Sequence, residues 1–172
     1  MIWIGIDPGL KGALAALDSD GRLLWAERTP LMVGEYDLAE MVHLLEKPDG
    51  PPSWTLVALE DVSAARVGGK QQGSTSMFTF GEGKGIWKGI IAALGFARID
   101  VRPQAWSKAL LGGMPREEDP VKRVLQRKMN AVVRAKQFWP AIPIKFKADW
   151  GMADAALIAE YARRQHAGKL IA

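Results

Sequence analysis

Two spacings of apolar residues divide this chain into strands and helices. Ile2, Trp3, Ile4 and Ile6 form a nearly unbroken apolar run of strand length, which predicts a central strand buried on both faces. The run stops at Asp7, where Pro8-Gly9 imposes a turn. Residues 12–17 read as a second strand, Asp18-Ser-Asp-Gly21 as a tight hairpin turn, and residues 22–27 as a third strand. The chain therefore opens as a three-stranded antiparallel meander with Asp7 at its first corner. Leu38, Met41, Val42 and Leu45 have helical spacing and predict an amphipathic helix over residues 36–47, stopped by the proline-rich residues 48–52. Residues 54–59 are a fourth, wholly apolar strand ending on Glu60-Asp61.

Residues 62–76 are almost without apolar side chains and read as a polar loop carrying Arg66, Lys70, Gln71 and Gln72, either a plain surface loop or one that contacts DNA beside the strand-end acids. Residues 77–94 are helical at least from Lys84 onward, with Gly81, Gly85 and Gly89 on one ridge that suits close approach of a partner surface, either the chain's own sheet or a second subunit. Gly81-Glu-Gly-Lys-Gly85 lacks the spacing of a dinucleotide-binding loop. A fifth strand spans residues 97–101, and a short helix follows over residues 103–111. Asp119-Pro120 has the N-cap and first-position residues of another helix. On it Arg123, Arg127, Asn130 and Arg134 fall within about 60° of one another, a face that reads as phosphate-tracking rather than merely soluble. The last helix runs over residues 150–165, with Asp149 at its N-cap and Asp154 on the stripe shared with Ile158 and Tyr161. Asp154 should thus point toward the sheet.

The 172 residues suit one domain spanning residues 1–172, an α/β fold with a mixed five-stranded sheet, three antiparallel strands and then two parallel, flanked by helices. There is no cysteine, so neither disulfides nor a thiolate metal site are available. No apolar run is long enough to cross a membrane, and the expectation is a cytoplasmic protein. The net charge is +4, unevenly spread. Residues 1–101 carry nine Lys/Arg against thirteen Asp/Glu, and residues 102–147 carry eleven against three. A basic segment joined to an acidic one points to a polyanionic partner.

Asp7 at the end of a buried strand is costly unless it caps the turn or holds a cation. A strand reached through a helical crossover usually lies parallel to its neighbour. If the fourth strand pairs with the first, Asp7 and Glu60 become neighbours on strands about 4.8 Å apart. Adjacent carboxylates repel unless one is protonated or a cation lies between them, which favours a metal site.

In this order the chain resembles the ribonuclease H-like fold, and more narrowly the RuvC-type Holliday junction resolvases, especially their bacteriophage relatives. The stretches that carry the resemblance are Ile4-Gly-Ile-Asp7-Pro-Gly9, Leu59-Glu60-Asp61-Val62, Met77-Phe-Thr-Phe-Gly81, Val101-Arg-Pro103-Gln-Ala-Trp106 and Ala153-Asp154-Ala-Ala-Leu-Ile-Ala159. The resemblance implies a crossover-junction endonuclease making paired nicks in four-way DNA, with two Mg²⁺ or Mn²⁺ ions held by Asp7, Glu60 and Asp154. The family's fourth acid falls three residues before the last, which here is Gly151; Asp149, five residues before, is the local candidate. The lysines such enzymes place near the site correspond to Lys108 and Lys122, and Lys147 is a further candidate for offsetting charge. A homodimer, through the Gly81, Gly85 and Gly89 ridge, would set two sites on opposed strands. Other readings are a related nuclease on branched DNA or RNA–DNA hybrids, a junction-binding protein without catalysis, and an actin-like ATPase or sugar-kinase phosphate loop at Gly5-Ile-Asp7-Pro-Gly9.

Overall fold

The computed structural model describes residues 1–61 and 74–166. Strands β1 (Ile2–Asp7), β2 (Ala13–Leu17) and β3 (Leu23–Arg28) form the expected meander. Two short strands, β4 (Leu31–Met32) and β5 (Glu35–Tyr36), then make a separate hairpin. It turns on Val33-Gly34, both at positive φ. Two-residue strands are too short to show alternation, so the sequence pattern passes over them. Helix α1 (Leu38–Glu46) begins where Asp37 accepts a hydrogen bond from the Glu40 N–H. Next come β6 (Thr55–Glu60), α2 (Ser74–Ala93), β7 (Ala97–Val101), α3 (Pro103–Leu111), α4 (Pro120–Phe138) and α5 (Trp150–His166). Residues 74–76, expected in the polar loop, are the first turn of α2.

The five-stranded sheet has the order β3-β2-β1-β6-β7, with β1 parallel to β6 and β6 parallel to β7. The fourth strand read from the sequence therefore pairs with the first, in the register Ile6 to Leu59. One residue further along each strand stand Asp7 and Glu60. Side chains alternate along a strand, so one face of the sheet takes Ile4, Ile6, Val57 and Leu59 against α1 and α2. The opposite face takes Trp3, Ala13, Ala15 and Ala58 against α3, α4 and α5. Asp7 and Glu60 have the parity of this second face.

Helix α5 lies across β1 and β2 with Gly151 through Glu160 buried all round. Its alanines are what lets it lie so near. A Cβ on Gly5 would overlap the Ala155 carbonyl and the Ala159 N–H. On the other face, a Cβ on Gly83 of α2 would overlap the Tyr36 hydroxyl and the Pro8 carbonyl. Gly83 therefore sets the distance between α2 and the turn carrying Asp7. The ridge glycines do not act this way: Gly81, Gly85 and Gly89 are exposed, with nothing within 4 Å of an added Cβ. Gly83→Ala should cost roughly 1–3 kcal/mol through overpacking. Gly85→Ala should gain up to about 1 kcal/mol from helix propensity. Urea melts of the two variants measure both signs.

Helix α4 reverses the expected amphipathicity. Arg123, Arg127, Asn130 and Arg134 do share a face, but it is turned inward. Arg127 reaches Asp154 at 3.5 Å and stacks over Trp106. Arg123 donates from Nε to the Glu117 carbonyl, and Arg134 lies over Phe138. The outward face carries Val121, Val124, Leu125, Met129 and Val133, of which Val121 is 73% exposed. Arg127 faces inward to the buried Asp154, which needs positive charge, while Arg123 and Arg134 place theirs against backbone carbonyls and an aromatic ring.

Candidate active site

Three elements bring three carboxylates together. Asp7 ends β1, Glu60 ends β6 and Asp154 lies in α5. All three are buried. The turn after β1 is tied down by Gly12 N–H to Gly9 O at 2.8 Å, Thr29 Oγ1 to Gly9 O at 3.1 Å and Tyr36 OH to Pro8 O at 3.3 Å. These bonds hold Asp7 in place without using its carboxylate.

Burial raises Asp7 to about 6; the Lys128 ammonium pulls it down, the Asp154 charge pushes it up, and the Gly9 N–H lowers it again. The Gly9 N–H contact is the capped-turn reading of Asp7, and the cation beside it here is the Lys128 side chain. Glu60 is pushed up to about 8, first by burial and then by the charges of Asp7 and Asp154. The Trp106 indole N–H opposes this by donating to Glu60 Oε1 at 2.8 Å. Asp61, the next residue, is drawn away to Lys84 of α2.

The sequence offered no reason to single out Lys128, on α4. Its Nζ lies 2.9 Å from Asp154 Oδ2 and 4.0 Å from Asp7 Oδ2. Burial would lower the Lys128 pKa, but Asp154 and Asp7 outweigh it and leave it raised. Asp154 Oδ1 is buried with no hydrogen-bond partner. Among the described residues, no group of three or more carboxylate or histidine side chains stands ready to cage a metal ion. An ammonium and a guanidinium balance the acids instead. The donor set nonetheless suits a hard divalent cation: carboxylate oxygens, one without a partner, with mutual repulsion to relieve.

Asp149 is a correction. Its Oδ1 accepts from Arg28 Nε and Nη2, and its Oδ2 accepts from the N–H groups of Lys145 and Phe146. Four donors fill the roughly four lone-pair positions of a carboxylate, leaving none for a metal. The Phe146 N–H, then Arg28 and Lys145, hold it at about 2 despite burial. Asp149→Asn should cost roughly 1–3 kcal/mol of stability and leave activity per folded molecule unchanged, as a melt and an assay on the same sample would show.

Of the expected lysines, Lys108 is exposed on a groove between α3 and α4 that Arg127 also lines. Lys122 is exposed in the first turn of α4, its N–H bound by Asp119. Lys147 lies over the Trp150 ring at 5.7 Å. Arg66, Lys70, Gln71 and Gln72 lie outside the described residues.

The strand order, with helices on both faces and an acid at the end of each of the two central parallel strands, defines a ribonuclease H-like fold. Two solved structures share it over nearly the whole chain. One is Thermus thermophilus RuvC in complex with a Holliday junction substrate, with TM-score 0.65, 17% identity and 98% of each chain covered. The other is Thermus thermophilus RuvC itself, with TM-score 0.63, 19% identity and the same coverage. No family model and no curated protein matches the chain by sequence.

Proposed function

We propose that this chain is a Holliday junction resolvase: an endonuclease that nicks four-way DNA junctions symmetrically with two Mg²⁺ or Mn²⁺ ions. The observation that carries the reading is the meeting of buried Asp7 and Asp154 on Lys128, with buried Glu60 close enough to feel both their charges, in a fold shared with a protein solved on a junction. Asp7, Glu60 and Asp154 would hold the ions. Bound there, divalent ions supply a lowered pKa for water and Lewis-acid stabilisation of a phosphodiester leaving group. Arg127 and Lys108 line the adjoining groove, where positive charge suits the flanking phosphates. Phosphate contacts from Arg66, Lys70, Gln71 and Gln72 remain part of the proposal. Arg127 belongs beside the acids rather than on an outer phosphate-tracking face. The exposed Gly81, Gly85 and Gly89 ridge supports a two-fold dimer, which would match the near two-fold symmetry of a junction. No helix among the described residues is long and apolar enough to cross a membrane, and a cytoplasmic site of action is consistent with that.

The test is a labelled synthetic four-way junction incubated with and without Mg²⁺. Paired symmetric nicks that require the metal are expected, with a linear duplex left intact. The Lys128–Asp154 ion pair favours one second reading, a junction-binding protein whose acids are structural. Binding without nicking in either metal would select it.

A further inference from the structure

A cleft of about 760 Å³ lies beside the acids, between the turn after β1, the end of β3 and the outward face of α4. Four cationic side chains line it, Lys11, Arg28, Lys128 and Lys147, and no acid does. Among the described residues, neither Lys11 nor Lys147 has a carboxylate partner, so their charge is available to a ligand. The facing wall is apolar. Val121, Val124 and Leu125 of α4 line it, with Leu31 of the β4–β5 hairpin across the opening. All four side chains are exposed. An aliphatic stretch of lining together with the two unpaired cations, Lys11 and Lys147, matches a ligand with an apolar face along one side and negative charge along the other.

A double helix does not fit that description, because its base faces are hidden in the stack and only phosphates and groove edges are presented. A single strand does fit, because unstacked bases expose their faces while phosphates run alongside. We propose that this cleft binds one unpaired DNA strand, with its bases against Val121, Val124 and Leu125 and its phosphates along Lys11 and Lys147. Lys128 lines the cleft and also pairs with Asp154 and lies 4.0 Å from Asp7, which connects the cleft to the acids. A strand followed inward reaches the acids. The site would thus select strands that have left their duplex, as they do at a branch point. This deepens the endonuclease reading and rests on it for the choice of nucleic acid over an acidic peptide.

The test compares a labelled oligothymidylate with a blunt duplex of the same length by fluorescence anisotropy. The variant is Val124→Ser with Leu125→Ser, two exposed positions whose change should leave the melting temperature alone. Oligothymidylate binding should weaken about tenfold or more, with duplex binding unchanged. Lys147→Gln should weaken oligothymidylate binding and lower its salt slope by about one. Equal weakening for both probes, or none for either, overturns the proposal. So does polyglutamate that binds with the same dependence on Val124 and Leu125. A wild-type protein that binds the oligothymidylate through these residues but nicks no junction sinks the endonuclease reading and leaves the strand-binding cleft standing.

Discussion

Glu60→Gln is expected to abolish metal-dependent nicking while making the metal-free protein more stable. Glutamine keeps the oxygen that accepts from the Trp106 indole, so the only change of consequence is the lost charge. That charge is costly where it sits. Burial, then Asp7 and Asp154, raise Glu60 from its ordinary 4.5 to about 8. Between those values the folded state binds more protons than the unfolded state, so stability falls as pH rises. The substitution should make no difference below about pH 4.5, and its benefit should grow through pH 8. A gain of roughly 1–3 kcal/mol is expected at high pH, or about 2–4 °C in Tm for each kcal/mol in a domain of this size. The loss of nicking should reach about a thousand-fold, because the ion that Glu60 would hold supplies several kcal/mol of charge stabilisation. Melts at pH 4 and pH 9, with a junction assay on the same preparation, measure both halves. A variant that lost stability at pH 9 would falsify the account of Glu60 as a destabilising charge retained for function.

Lys128→Met should do the opposite to the metal-free protein and little to the metal-loaded one. Removing one partner of a buried ion pair leaves the other charge uncompensated, a cost of about 3–5 kcal/mol when fully buried. Lys128 is about one-third exposed, which cuts this to roughly 1–3 kcal/mol. A divalent ion held between the same carboxylates, as proposed, would replace the missing ammonium. Ligand binding to the folded state alone adds stability by mass action. Mn²⁺ should therefore raise the Tm of Lys128→Met by more than that of the parent, and bind more tightly by calorimetry because no ammonium must be displaced. If Lys128 served packing alone, both proteins would shift equally with Mn²⁺.

Much of the site's frame was legible in the linear order. The apolar runs of β1 and β6 each stop on an acid, and a helical crossover between them implies a parallel pair. Asp119-Pro120 marks the start of α4 because an N-cap acceptor and a missing N–H act locally. Asp154 was placed correctly toward the sheet by helical spacing. Asp149 was not, because five residues back along a helix start says nothing of the four donors that Arg28, Lys145 and Phe146 bring to it. The α4 arginines were read outward by the general rule that charge seeks water. At Arg127 the buried Asp154 won, and five aliphatic side chains of the helix were left facing out.

Elements and their ends follow from forces within one turn or one strand: apolar periodicity, proline, capping oxygens. These the sequence determined alone, together with the parity that puts Asp7 and Glu60 on one face of the sheet. Tertiary structure decided which of its many charges meet. It turned Asp149 toward Arg28, Asp61 toward Lys84, and Lys128 toward Asp7 and Asp154. It made Gly83, not the regularly spaced ridge, the glycine that α2 needs against the Asp7 turn. The reason is that Coulomb energy and steric overlap depend on distance in space, and residues such as Arg28 and Asp149 are separated by most of the chain.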